Sequence, residues 1–102
     1  MNTKISFYGI EFDLIEVTRM YPAVRIEFQE FEKVEYTEVS IEWAELKEDK
    51  LKIVDFVLVL DFDQIGEEIK NRKRVYFDTK EELLQSLYEL HSLFQEIKSG
   101  EN

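Results

Sequence analysis

The sequence predicts an α+β fold, an antiparallel β-meander of four to five strands with a short helix and a long C-terminal amphipathic helix packed on one face. Three observations predict it. Much of the first sixty residues alternates apolar and polar side chains, the period of a half-buried strand. The run Phe56-Val57-Leu58-Val59-Leu60 is apolar on both parities, as in a strand covered on two sides. From residue 83 onward, Leu83, Leu87, Leu90, Phe94 and Ile97 recur at intervals of four, three, four and three, which places them on one stripe of a helix.

In chain order, Thr3 to Tyr8 and Ile10 to Val17 read as two strands, with Tyr8-Gly9 as the tight turn between them, because such turns need residues that accept positive φ. The alternation slips after Leu14, where a bulge or strand end is expected. Arg19-Met20-Tyr21-Pro22 reads as a break, since Pro has no amide hydrogen to donate to a ladder. A third strand follows over Ala23 to Phe31, with Val24, Ile26 and Phe28 inward and Arg25, Glu27, Gln29 and Phe31 outward.

Residues 35–49 fit two patterns. As a helix they would line up Glu35, Glu38, Glu42, Glu45 and Asp49 opposite Tyr36, Val39, Trp43 and Leu46. As a strand they would turn Val39, Ile41 and Trp43 inward, and their β-branched and aromatic content favours the strand. Leu51 to Phe62 is then the central strand, Asp63 to Arg72 a short helix with Ile65 and Ile69 inward, and Val75-Tyr76-Phe77 a short extended piece. Asp78 and Glu81 form a capping box for the final helix, which Gly100 ends.

Length and composition bound the rest. A chain of 102 residues supports one hydrophobic core, so residues 1–102 are expected to form a single domain. It has no cysteine, which excludes disulfides and thiolate metal sites. The N-terminal residues lack the apolar stretch of a secretory signal, and no apolar run approaches the roughly 20 residues that cross a bilayer, so a cytoplasmic location is expected. The 23 acidic residues against 13 basic ones give a formal net charge of −10. A field of that sign repels phosphate backbones and anionic lipid, which argues against nucleic-acid and membrane partners and for a basic protein.

The acids are unevenly placed. Residues 27–49 hold nine acids and two bases, where an even spread of 23 over 102 residues would give about five acids. On strands, acids two apart lie roughly 6.6 Å from one another, close to the phosphate spacing of a nucleic-acid strand. Glu27, Glu35, Glu38, Glu42 and Glu45 are therefore the candidate partner-binding residues, facing lysines and arginines of the partner, with Phe31 as an apolar anchor within a charged rim. In size and charge alone the chain resembles immunity proteins and the inhibitors by which phage and other mobile elements block host defence nucleases. That resemblance implies an inhibitor of anti-defence type that mimics nucleic acid and occludes a basic, nucleic-acid-binding surface, with no catalytic residue and no cofactor.

Other groupings have structural readings beside functional ones. Asp61 and Asp63 at the end of the central strand are weak candidate ligands for Mg²⁺ in an enzyme acting on a phosphate compound, with a cap for the following helix the favoured reading. Lys70, Arg72, Lys73 and Arg74 concentrate basic charge that either grips phosphate or answers a helix dipole. His91, the sole histidine, has no Ser or Cys nucleophile beside it and is expected partly buried at the core margin, on a stripe with Leu84 and Tyr88. That stripe, or an edge strand, is also where a homodimer or larger structural oligomer would form.

Overall fold

The structure, a computed structural model, describes residues 3–30, 33–47 and 51–100, and the side chains within those spans apart from 28–30, 33, 34 and 98–100. Among the described residues six strands and two α-helices follow one another as β1 (Lys4–Phe7), β2 (Ile10–Asp13), β3 (Arg19–Glu30), β4 (Lys33–Val39), α1 (Ile41–Leu46), β5 (Lys52–Asp61), β6 (Arg72–Phe77) and α2 (Lys80–Gly100). β1 and β2 form a two-stranded hairpin, and the others form an antiparallel sheet in the order β4-β3-β5-β6. The α+β class follows directly. β5 pairs on the side of β3 away from β4, and so becomes one of the two central strands.

The hairpin turn is the one that Tyr8-Gly9 demands. Phe7 pairs with Ile10, and both turn residues have positive φ, +50° at Tyr8 and +82° at Gly9. That twist matches the flanking strands. Tyr8 occupies its left-handed position because its ring lies edge-on to Phe77 at 5.0 Å and its hydroxyl accepts from Ser86 Oγ at 3.0 Å. After Asp13 the strand gives way to a 3-10 turn over Leu14–Glu16, where the alternation slipped.

The core has two sides. On the first, Leu58 and Leu60 of β5, Val75 and Phe77 of β6, Phe7, Phe12 and Leu14 of the hairpin segment, and Leu83 and Leu90 of α2 are buried together. Ala44 of α1 covers Val24 and Ile26 on the same side. On the second side, which bears no helix among the described residues, Ala23, Val57 and Val59 are buried beside Tyr21. β5 is thus apolar on both parities because both faces of the sheet are covered there, one by helices and one by long side chains.

Several local expectations are corrected. The expected break at 19–22 is strand: Pro22 pairs with Leu58 of β5, and β4 begins to pair only at Val24. Pro22 therefore sits where β3 has a neighbour on one side only, the place in a sheet that tolerates a missing amide hydrogen. The expected strand over 35–49 ends at Val39, because the Ser40 hydroxyl accepts from Trp43 N at 3.2 Å and starts α1. Trp43, expected inward, is 40 % exposed. A local cap and the burial of Ala44 outweigh the β propensity of the stretch.

The expected helix over 63–72 is a turn. Asp63 folds its carboxylate back onto Lys70 N at 2.9 Å and Asn71 N at 2.8 Å, Gly66 has φ +95°, and Ile65 is 81 % exposed rather than inward. Arg72 belongs to β6, which is longer than the expected extended piece at 75–77. Finally, α2 is capped by Thr79 and not by Asp78. Thr79 Oγ1 accepts from Glu82 N at 3.2 Å and donates to Glu82 Oε1 at 3.1 Å, so Thr79 and Glu82 are the capping pair. The helix also runs through Gly100 instead of stopping before it.

Candidate functional site

The five described candidate glutamates do not share a surface. Glu27 and Glu38 lie on the helix-free sheet face, where Glu27 meets Lys52 Nζ at 3.6 Å and Glu38 accepts from Arg74 Nε at 2.8 Å. Glu35 is opposite Phe28 in the register and therefore on the other face of β4. Glu42 stands exposed in the first turn of α1, and Glu45 pairs with Lys80 at the start of α2. The strand-to-helix change at Ser40 divides them. Phe31 lies outside the described residues.

Asp61 and Asp63 are brought to one end of the sheet, but each carboxylate is engaged by protein donors. Arg72 grips Asp61 with Nε at 2.6 Å and Nη2 at 3.0 Å, and this hydrogen bonding holds the Asp61 carboxyl below the usual carboxylate range despite burial. Asp63 accepts from Asn71 N, Lys70 N and Asn71 Nδ2, which likewise lowers its pKa. Among the described residues no three His, Cys, Asp or Glu converge as a metal cluster.

The basic run Lys70, Arg72, Lys73, Arg74 ends no helix. It is the entry to β6, so the helix-dipole account is replaced by strand register: Arg72 opposes Asp61, and Arg74 opposes Val59. Because paired residues point to the same side, Arg72 and Arg74 join Arg19, opposite Asp61, and Arg25, opposite Asp55. All four arginines of the sequence consequently share the helix-free face. Arg25 lies between the rings of Tyr36 and Tyr76, 5.3 and 5.0 Å from their centroids, while bonding both Asp55 oxygens. Hydrogen bonding to Asp55 raises the Arg25 pKa. Parity marked Arg25 as outward in the sequence, but nothing there says that β6 would lie two strands away from β3.

A second surface gathers on α2. Leu84, Tyr88 and His91 recur at intervals of four and three and flank the core stripe, as the sequence indicates. His91 is exposed and not partly buried. Together with Leu87 and Met20 of β3 these side chains line a shallow notch of about 390 Å³. It opens where β3 has no β4 beside it, at a residue the sequence had assigned to a break. Tyr88 is 69 % exposed and Leu84 42 %. Glu81, Glu89 and Glu96 are exposed on the neighbouring solvent stripe of α2. Lys80 is the only cation among the described side chains of α2 apart from any charge on His91, and it is paired with Glu45. An adjoining hollow of about 230 Å³, lined by Leu14, Val17, Met20 and Phe94, carries Arg19 at its border.

No helix among the described residues is long and apolar enough to cross a membrane. No protein-family model, curated protein or solved structure matches the chain.

Proposed function

We propose that the chain is a small protein-binding module that docks through α2, with Tyr88 and Leu84 as apolar anchors and the notch beside Met20 as the receptor for a partner side chain. The observation that carries this is the pairing of large exposed apolar groups with an acidic border on one helix face. Isolated exposed apolar residues are ordinary, whereas a contiguous stripe beside a concavity has the composition of an interface centre. The border selects the partner. Carboxylates at 81, 89 and 96 favour a surface rich in lysine and arginine and repel phosphate.

A partner of that chemistry is a basic protein, including the class that handles nucleic acid, whose phosphate contacts require such residues. Seated on that surface, the chain would inhibit by occlusion, in the manner of immunity proteins or anti-defence inhibitors. The role first expected of the acids at 27–45 passes to α2, because Glu27, Glu38 and Glu45 are already matched by internal cations.

The test uses a photo-crosslinking residue placed at Tyr88, with Tyr36 on the opposite sheet face as the control position. The reading expects a basic protein joined at 88 and not at 36. Its purified form should lose at least about tenfold in affinity for Leu84→Glu, and should associate more slowly with Glu81→Lys, Glu89→Lys, Glu96→Lys. Crosslinking of a second copy of this chain at 88, with a mass that rises with concentration, would overturn the basic-partner reading in favour of a homodimer.

A further inference from the structure

We infer that the corner of the helix-free sheet face formed by Arg19, Arg72 and Arg74 around Tyr21 is a binding site for a single phosphoryl group, as carried by a phosphomonoester. It meets the α2 surface only at Arg19, which also borders the hollow beside the notch, and it does not depend on the α2 stripe.

Register builds the corner. Arg19, Asp61 and Arg72 form one row across β3, β5 and β6, and Tyr21, Val59 and Arg74 form the next. The guanidinium carbons of Arg19 and Arg72 lie 5.2 and 5.9 Å from the centroid of the same Tyr21 ring, so two cations flank one aromatic ring. Each arginine has donors to spare. Arg72 uses Nε and Nη2 on Asp61, which leaves Nη1. Arg74 uses Nε on Glu38, which leaves both terminal nitrogens. Arg19, exposed, has no ion pair among the described residues. Two of the three guanidiniums are ion-paired, Arg72 to Asp61 and Arg74 to Glu38, and Arg19 is the one without an ion pair among the described residues on a chain of net −10.

The rest of the face is arranged differently. Arg25 is held by both oxygens of Asp55 and by two tyrosine rings, so its planar faces and its bidentate edge are filled. At the Arg19 corner, Arg72 is pinned by a carboxylate whose side chain is only 2 % exposed, which fixes the direction of the free edge before any ligand arrives. Planar forks suit phosphate oxygens in pairs, and the open fork of Arg19, the terminal nitrogens of Arg74 and the spare Nη1 of Arg72 offer donors for a group with three oxygens rather than a carboxylate with two. The ligand carries one such group and not a chain of them: the surrounding negative field opposes each additional phosphate, and no further unpaired arginine extends the corner along the sheet.

The arginine side-chain Nε–H signals of the ¹⁵N-labelled full chain are followed by NMR during titration with phenyl phosphate at constant ionic strength. Parallel titrations use inorganic phosphate, benzoate and a single-stranded oligonucleotide. The expected result is a saturable shift of the Arg19 and Arg74 signals with both phosphate probes, little movement of Arg25, and at least about tenfold weaker binding in Arg19→Gln, whose exposed position leaves the fold intact. The variant Arg74→Gln should weaken phenyl phosphate in the same way. Absence of saturation, equal binding by Arg19→Gln, tighter binding of benzoate than phenyl phosphate, or tighter binding of the oligonucleotide than of either phosphate would each overturn the assignment.

Discussion

Replacing Arg72 with Met tests how the helix-free face is held together. In the native protein Arg72 bonds both oxygens of Asp61, whose side chain is 2 % exposed while that of Arg72 is 23 % exposed. Removing the cation strands a carboxylate that water barely reaches. Breaking a buried pair in this way costs about 3–5 kcal/mol, and the remaining solvent contact of Arg72 places the loss near the lower figure, about 3 kcal/mol. With a urea m-value of about 1–1.5 kcal/mol/M for a domain of this size, the midpoint should fall by about 2–3 M. Far-UV circular dichroism in urea at pH 7 reads it.

Arg74→Met on the same strand is the internal comparison. Its pair with Glu38 is half-open to solvent, with side chains 37 % and 26 % exposed, so the loss there should stay below about 1 kcal/mol. The pH dependence adds a sign. Without Arg72 the buried Asp61 favours its neutral form, so acidification toward pH 4 should reduce the deficit of Arg72→Met. A midpoint within about 0.5 M of wild type at pH 7, or a deficit that grows on acidification, would refute the burial argument.

The remaining expectations are smaller and local. In the wild-type chain the Asp61 and Asp63 carboxyls are held below their unfolded values, so their contribution is complete above the ordinary carboxylate range. It is lost as pH falls through the folded values, and acid unfolding monitored by circular dichroism should begin below about pH 4. Thr79→Ala should cost about 1 kcal/mol in urea denaturation by removing the α2 cap, with Asp78→Ala near neutral. Ser40→Ala should cost about 0.5–2 kcal/mol and speed hydrogen exchange at Trp43 N, whose acceptor it removes. Gly9→Ala should cost about 1 kcal/mol, because its φ of +82° is one that L side chains rarely adopt, while the space around it is open.

How much of this was legible in the sequence depended on the range of the cause. The hairpin turn at Tyr8-Gly9, the two-faced strand at 56–60 and the stripe from Leu83 to Ile97 are each set by residues a few positions apart, and each appears in the fold. The misreadings arose where a side chain decided between two local patterns. Ser40 bonded forward to Trp43 N and turned strand into helix, and Asp63 reached seven and eight residues ahead to close a turn where helix spacing had been read. Pro22 looked like a break because the sequence does not show which side of β3 would be vacant.

The candidate surfaces follow the same division. Leu84, Tyr88 and His91 could be placed together from helical spacing alone, but Met20, which completes their notch, comes from a strand 64 residues earlier than Leu84. The glutamate row of the sequence is divided among several surfaces by the fold. Once Arg74 and Lys80 arrive from more than thirty residues away, Glu38 and Glu45 are neutralised in place. The four arginines are spread from residue 19 to residue 74, and only strand order unites them.

The most direct test of the functional account is the affinity of the protein joined through position 88 for the variant Tyr88→Ala. Tyr88 is 69 % exposed and is not a member of the core clusters, so the fold should hold, with a urea midpoint unchanged within about 0.3 M. Binding should weaken by at least about thirtyfold, the cost of an aromatic anchor worth about 2 kcal/mol. Unchanged affinity with an intact fold would contradict the account and remove α2 as the docking face.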